Sequence, residues 1–177
     1  YLQNPSIADR LEGCLEDMLD AGIMTEDEST ILHPTPVGWV AVRHQLSPAT
    51  TKHLMCLTDL NETHTLTDFD LLLHHCWDSD LQPQLPVSIE VVEALEALIH
   101  DIPSTLLDVA PSPDLSPRPC AAGVLMSTLA WQYIQAQDLE PVCELLDIYS
   151  SDAEVLRLSL VRLLNASADV HAAINPV

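Results

Sequence analysis

Leu15-Glu16-Asp17-Met18-Leu19-Asp20-Ala21-Gly22-Ile23 is followed by Pro34-Thr35-Pro36-Val37-Gly38-Trp39-Val40-Ala41 and then by Leu46-Ser47-Pro48-Ala49-Thr50. The first segment closes a helical run. Ile7, Leu11, Cys14 or Leu15, and Met18 recur at three-and-four spacing after Pro5-Ser6, and Ala21-Gly22 supplies the stop. Ile23-Met24 and Thr30-Ile31-Leu32 then flank the acidic stretch Thr25-Glu26-Asp27-Glu28-Ser29, which predicts a short β-hairpin with a charged tip. Thr35-Pro36 opens a second helix through Val37, Val40, Ala41 and His44, because proline fits the first helical position, where its missing N–H is not needed. Gly38 is expected where this helix packs closely on a neighbour, and Ser47-Pro48 starts the exit helix.

Helix, hairpin, helix is the back half of a winged-helix domain. Beyond it the pattern is helical throughout. The Ser47-Pro48 helix is expected to reach about Leu57. Thr65 or Thr67 caps a helix carrying Leu66, Phe69, Leu72, Leu73 and Trp77, and Asp78–Val87, spaced by prolines, reads as a loop. Ser88 caps a stripe of Ile89, Val92, Leu95, Leu98 and Ile99. From Asp108 to Pro119 four prolines fall in twelve residues, which predicts a linker or long surface loop. Gly123–Ala136 and Glu140–Asp147 read as helices, and Ser151 with Glu154 makes a capping box for a last helix to about Ala173. The expected architecture is mainly α: a partial winged helix over residues 1–48 with its short hairpin, then a multi-helix bundle over 49–177 with a Pro-rich loop at 108–119.

Composition agrees with helices and limits function. Apolar residues make up 47% and Gly numbers only 4 among 177 residues, so a buried core forms and sheet is disfavoured. Charge is the outlier, with 27 Asp and Glu against 6 Lys and Arg for a formal net charge of -21. A free-standing nucleic-acid binder draws its affinity from phosphate neutralisation, and this chain taken alone repels phosphate. The acid is either a solvated surface or a docking face for a basic partner or neighbouring domain. The five cysteines, Cys14, Cys56, Cys76, Cys120 and Cys143, are scattered and odd in number, which argues against a disulfide framework and for a reducing cytoplasm. No apolar run reaches about 18 residues, and the N-terminal stretch does not read as a basic-then-apolar leader, so neither membrane nor secretion is expected. The chain opens on Tyr1 without an initiator Met, as an excised piece of a longer protein does.

Motifs for chemistry are missing. His53/Cys56 and His74-His75-Cys76 bring metal-ligating types together, but inside apolar helical periodicity and without paired Cys-x-x-Cys turns, so no metal site is expected. Neighbours such as His75 and Cys76 point about 100° apart on a helix, so they do not form a nucleophile and base by adjacency. There is no phosphate loop and no Gly-x-Gly-x-x-Gly, and the single lysine, Lys52, lies in a helix. No catalytic residue and no cofactor are expected within the chain.

The three quoted segments resemble the region that follows the two motor domains in superfamily-two helicases of the Ski-two-like group, especially the archaeal and eukaryotic DNA-repair branch. The family pattern is a helix ending in Leu-x-x-x-Gly-hydrophobic, a wing, Thr-x-x-Gly with small residues, and hydrophobic-x-Pro-x-Thr. Thr35, Gly38 and Pro48 stand at the motif positions. Glu62–Trp77 is similar to the helix after the winged helix, and Leu125–Leu164 to the stretch that leads through an Ile-x-x-x-Asp-Leu-like turn, here Ile148–Ala153, into the long ratchet helix. In that family the ratchet helix lies across the motor domains and touches the translocating strand with a basic residue and an aromatic. Here Arg157 and Arg162 are the counterparts available for phosphate, the aromatic is missing, and either arginine also reads as a snorkelling surface residue.

The resemblance implies an accessory, non-catalytic region that braces upstream motor domains and guides a single strand, DNA by the branch it resembles. ATP and Mg belong to those upstream domains. The alternative is an acidic helical protein-interaction module, in which the acid face and the Asp108–Pro119 loop recruit a partner and strand contact is slight.

Overall fold

A computed structural model describes residues 6–63, 65–78, 80–107, 117–136 and 138–176. Among them the protein is mainly helical, with eight helices and one two-stranded antiparallel hairpin. Contacts divide the chain into two units. One comprises Tyr1–Cys56 with Asn165–Val177, the other Leu57–Leu164. The expected cut after residue 48 falls at the first residue of a helix, Pro48–Thr63, that runs through the division at Cys56.

In the first unit, α1 (Ile7–Asp20) begins with a capping box in which Ser6 Oγ accepts from Asp9 N–H at 3.1 Å and Asp9 Oδ2 accepts from Ser6 N–H at 2.9 Å. It ends at Ala21, and Gly22 takes the left-handed φ of +64° that turns the chain into β1 (Met24–Glu26). β1 pairs with β2 (Leu32–Pro34) in the register Met24↔Pro34, Thr25↔His33 and Glu26↔Leu32. The tip is organised by Asp27, whose Oδ1 accepts from Ser29 N–H at 2.8 Å and Ile31 N–H at 3.0 Å, while Oδ2 meets His33 Nε2 at 3.0 Å. α2 (Pro36–His44) follows directly, capped by Thr35, and ends on Gln45 at φ +54°. α3 (Pro48–Thr63) starts at the expected proline but runs six residues past the expected end at Leu57.

Two apolar clusters hold this unit. Ala21, Ile23 and Ala41 pack with Met24 and Leu46, and Val40 and Leu54 pack with Ala166 and Val170 near the chain's C-terminal end. Asp169 adds a polar tie, its Oδ2 lying 2.8 Å from His44 Nε2 and 3.3 Å from Arg43 Nη1. The apolar stripe Ile7, Leu11, Cys14 and Met18 of this amphipathic helix is not in the core. α1 buries no residue, and Ile7 and Leu11 are 78% and 66% exposed.

The second unit is built on α4 (Asp68–Cys76), α5 (Ile89–Ile99), α6 (Pro117–Ala136), α7 (Glu140–Leu145) and the larger part of α8 (Ser150–Ile174). Its core joins Phe69 and Leu73 of α4 to Leu106, with Trp77, Val124 and Trp131 packed against them. Phe69 and Trp131 meet edge to face, ring centroids 5.9 Å apart. α5 buries Val91 and Leu95 and is capped by Ser88 as the sequence predicts.

Two expectations are corrected here. Of the Pro-rich loop at 108–119, residues 108–116 lie outside the described residues, and Pro117–Pro119 open α6. The physical reason is that a helix's first turn leaves its N–H groups without intrahelical partners, so prolines are tolerated there. The expected capping box of Ser151 with Glu154 does not form, because α8 begins at Ser150 and Glu154 binds Arg157 instead. Among the described residues, no helix is long and apolar enough to cross a membrane.

Candidate functional site

Thr35 is the knot of the first unit. Its hydroxyl donates to the Gly22 carbonyl at 2.6 Å and accepts from Gly38 N–H at 2.9 Å, while its own N–H donates to the Ile23 carbonyl at 3.0 Å. One side chain thus caps α2 and pins it to the end of α1. Gly38 sits where that pinning brings α2 onto the Ile23 backbone, and an added Cβ would overlap the Ile23 carbonyl oxygen. Pro48 stands at the first position of α3, and Ser47 caps that helix by accepting from Thr50 N–H at 3.1 Å. Thr50 and Thr51 behind it are buried. Thr35, Gly38 and Pro48 therefore act on backbone geometry, each at a junction between elements.

Arg157 and Arg162 both lie on α8. Arg157 is half-buried and grips Glu154 through two bonds, Nε to Oε2 at 2.8 Å and Nη2 to Oε1 at 2.6 Å. Its guanidinium carbon also lies 6.0 Å from the centroid of the Tyr133 ring. The bonds from Arg157 hold the Glu154 carboxyl below its ordinary pKa. Arg162 is exposed. Five residues along a helix turn through about 140° net, so the two arginines do not share one line. They flank an exposed strip that carries Leu158 and Val161, 56% and 46% exposed. The helix can present two cations around an apolar strip, and it offers no aromatic ring there.

Two features escaped the sequence reading. The first is Asp70, fully buried at the start of α4. Its carboxylate accepts from Thr67 N–H at 2.8 Å, from Thr105 N–H and Leu106 N–H at 3.1 Å, from the hydroxyls of Thr67 and Thr105, and from the Ser104 hydroxyl. Burial pushes its pKa up, but the bonds from Ser104, Thr67, Thr105 and Leu106 outweigh it and hold the carboxyl far below the usual range. The capping-box spacing Thr67-x-x-Asp70 was legible, whereas the return of residues 104–106 onto it was not. The second is a cavity of about 130 Å³ lined by α4, α6 and α8 residues including Leu72, Leu129, Tyr133, Leu156, Arg157 and Leu160.

His74, His75 and Cys76 are buried in α4, and burial pushes the Cys76 thiol well above its ordinary pKa, which keeps it protonated and poorly nucleophilic. Cys143 is shifted the same way by burial. Among the described residues, no three His, Cys, Asp or Glu side chains come together as a metal site would need.

Compared with protein-family models and with curated proteins, the chain matches none.

Proposed function

We propose that this chain is the accessory C-terminal region of an ATP-dependent, Ski-two-like nucleic-acid helicase acting on DNA. The first unit is the back half of a winged helix that braces the motor domains. The second unit presents α8 to the single strand that those domains pull. ATP and Mg act in the motor domains, and this chain contributes guidance without chemistry of its own.

The observation that carries the reading is the Thr35 knot. Thr-x-x-Gly after a wing is the motif on which the resemblance rests, and here the threonine ties the helix before the hairpin to the helix after it, with Gly38 in direct apposition to Ile23. The uncovered stripe of α1 fits as the place where the front half of the winged helix packs. The charge of -21 limits strand contact to a few arginines within the positive field of the motor domains.

The test is DNA-stimulated ATP hydrolysis and strand affinity of the parent protein carrying Arg157→Ala and Arg162→Ala. Each phosphate contact on a single strand contributes about 0.7 to the slope of log affinity against log salt, so the double variant should lower that slope by about 1.4 and reduce stimulation. Unchanged slope and stimulation would remove α8 from the strand path.

One observation favours a second reading, an acidic module that recruits a protein partner. The exposed apolar stripe of α1 is flanked by Asp9, Glu12, Glu16, Asp17 and Asp20 against the single Arg10. Such a face fits a basic apolar helix. An upstream reading frame without phosphate-loop and Asp-Glu-x-His motifs would favour this second reading over the first.

A further inference from the structure

Little holds α1 closed. It buries none of its 14 residues, with only Gly13, Leu15 and Leu19 half-buried, and a helix of that length without an apolar anchor is marginal in water. Gly13 weakens it further, because glycine inside a helix gives up more backbone freedom than alanine and nothing here lies within 4 Å of a built Cβ.

Its charges also oppose the helix. Glu12, Glu16 and Asp20 follow one another at four-residue steps along one face, and Asp9 stands three residues before Glu12. Neighbours at these spacings bring their Cβ atoms to about 5–6 Å, where like charges repel. Arg10 relieves none of these pairs, since the residues three and four places from it are Ile7, Ser6, Gly13 and Cys14. No basic residue stands in the last turn to meet the negative end of the helix dipole.

The last turn is nevertheless anchored. Asp17 and Asp20 share a surface hollow with Lys52 and the Ser47-Pro48 start of α3, and Ile23 N–H donates to the Met18 carbonyl at 2.9 Å. The Thr35 hydroxyl grips the Gly22 carbonyl just beyond. An opening of α1 therefore stops short of Asp17 and spares the Thr35 knot.

We propose that residues 7–16 form a helix gated by ionic strength: at low salt the helical form coexists with an open one, and screening by cations closes it while α2 and α3 stay folded. The Debye length falls from about 30 Å at about 0.01 M salt, well beyond the spacing of the acids, to about 3 Å at about 1 M, inside it. Screening ignores the identity of the cation, so sodium and potassium act alike. The gate belongs to this chain by itself and goes beyond both functional readings.

The readout is the 13Cα secondary chemical shift of the full 177-residue chain, recorded at about 0.01 M and about 1 M NaCl or KCl. Screening the pairs Asp9–Glu12, Glu12–Glu16 and Glu16–Asp20 should raise the ratio of helical to open forms at residues 11–15 about fivefold, with residues 37–43 and 51–55 unchanged. Glu12→Gln with Glu16→Gln removes all three pairs at exposed positions, so it should favour the helix at low salt and abolish most of the rise. Gly13→Ala should raise the ratio about two- to fivefold at both salt concentrations and leave the rise intact. Shifts at residues 11–15 that are equally helical at both concentrations would overturn the gate, as would a rise undiminished in the double variant. A response to one cation and not the other, or parallel movement of α2 and α3, would contradict it as well.

Discussion

Gly38 faces the carbonyl oxygen of Ile23 so closely that a methyl group on Gly38 would occupy the oxygen's place. The Ile23 carbonyl also accepts the Thr35 N–H at 3.0 Å, so moving it away from a methyl group would disturb that bond. Gly38→Ala should therefore cost about 2–3 kcal/mol, as overpacking against backbone does. Gly13 gives the opposite case: it sits mid-helix in α1 with nothing within 4 Å of a built Cβ, and Gly13→Ala should add about 0.5–1 kcal/mol. Urea denaturation of both variants checks the pair, and similar effects of the two would contradict the packing described.

Asp70 should make stability acid-sensitive. Its carboxyl is held below the usual pKa in the folded chain, while the unfolded value is about 3.9. The stabilisation is therefore fully present above roughly pH 4–5 and is lost as pH falls toward the folded value. Asp70→Asn, which replaces one acceptor oxygen by a donor facing backbone N–H groups, should lower stability by about 2–4 kcal/mol at pH 7. It should also flatten the loss of the urea midpoint between pH 5 and about 3. A variant as acid-sensitive as the parent chain would remove Asp70 from that role.

Gly123 of α6 repeats the Gly38 relation in the second unit. A built Cβ would overlap Trp77 Cδ1 and lie 2.7 Å from Trp77 Nε1, a buried N–H without an acceptor among the described residues. Gly123→Ala should destabilise by about 2 kcal/mol. Combining it with Trp77→Phe should cost less than the sum of the two changes, with coupling of about 1 kcal/mol, because the smaller ring vacates the space that the methyl needs. Strict additivity in thermal denaturation would contradict this contact.

Much of the fold was legible because its signals are local. Ser6, Thr35, Thr67 and Ser88 each stand as the cap of the helix they announce, and Gly22 and Pro36 punctuate the chain where backbone geometry needs them. Gly38 was legible as a close-packing site without its partner being named. What the sequence hid is long-range. The periodicity of α1 marks an apolar face but not whether anything covers it, and Ile7 and Leu11 are exposed. The spacing of Ser151 and Glu154 matches a capping box, yet an arginine three residues beyond Glu154 competes for that carboxylate and takes it. Asp70 could be read as a helix cap, but its bonds to residues 104–106 join positions more than thirty residues apart, which no local pattern encodes. The cavity beside Arg157 is made by three helices at once, so no single stretch of sequence announces it.

Strand contact by the exposed face of α8 is read most directly by crosslinking in the parent helicase. A photoreactive phenylalanine analogue would replace Leu158, which is 56% exposed between Arg157 and Arg162, or Ala97, exposed on α5. With single-stranded DNA and ATP present, crosslinks should form from position 158 and not from position 97, and Arg157→Ala with Arg162→Ala should reduce them severalfold. Equal crosslinking from the two positions, or none from position 158, would contradict a strand-guiding role for this helix.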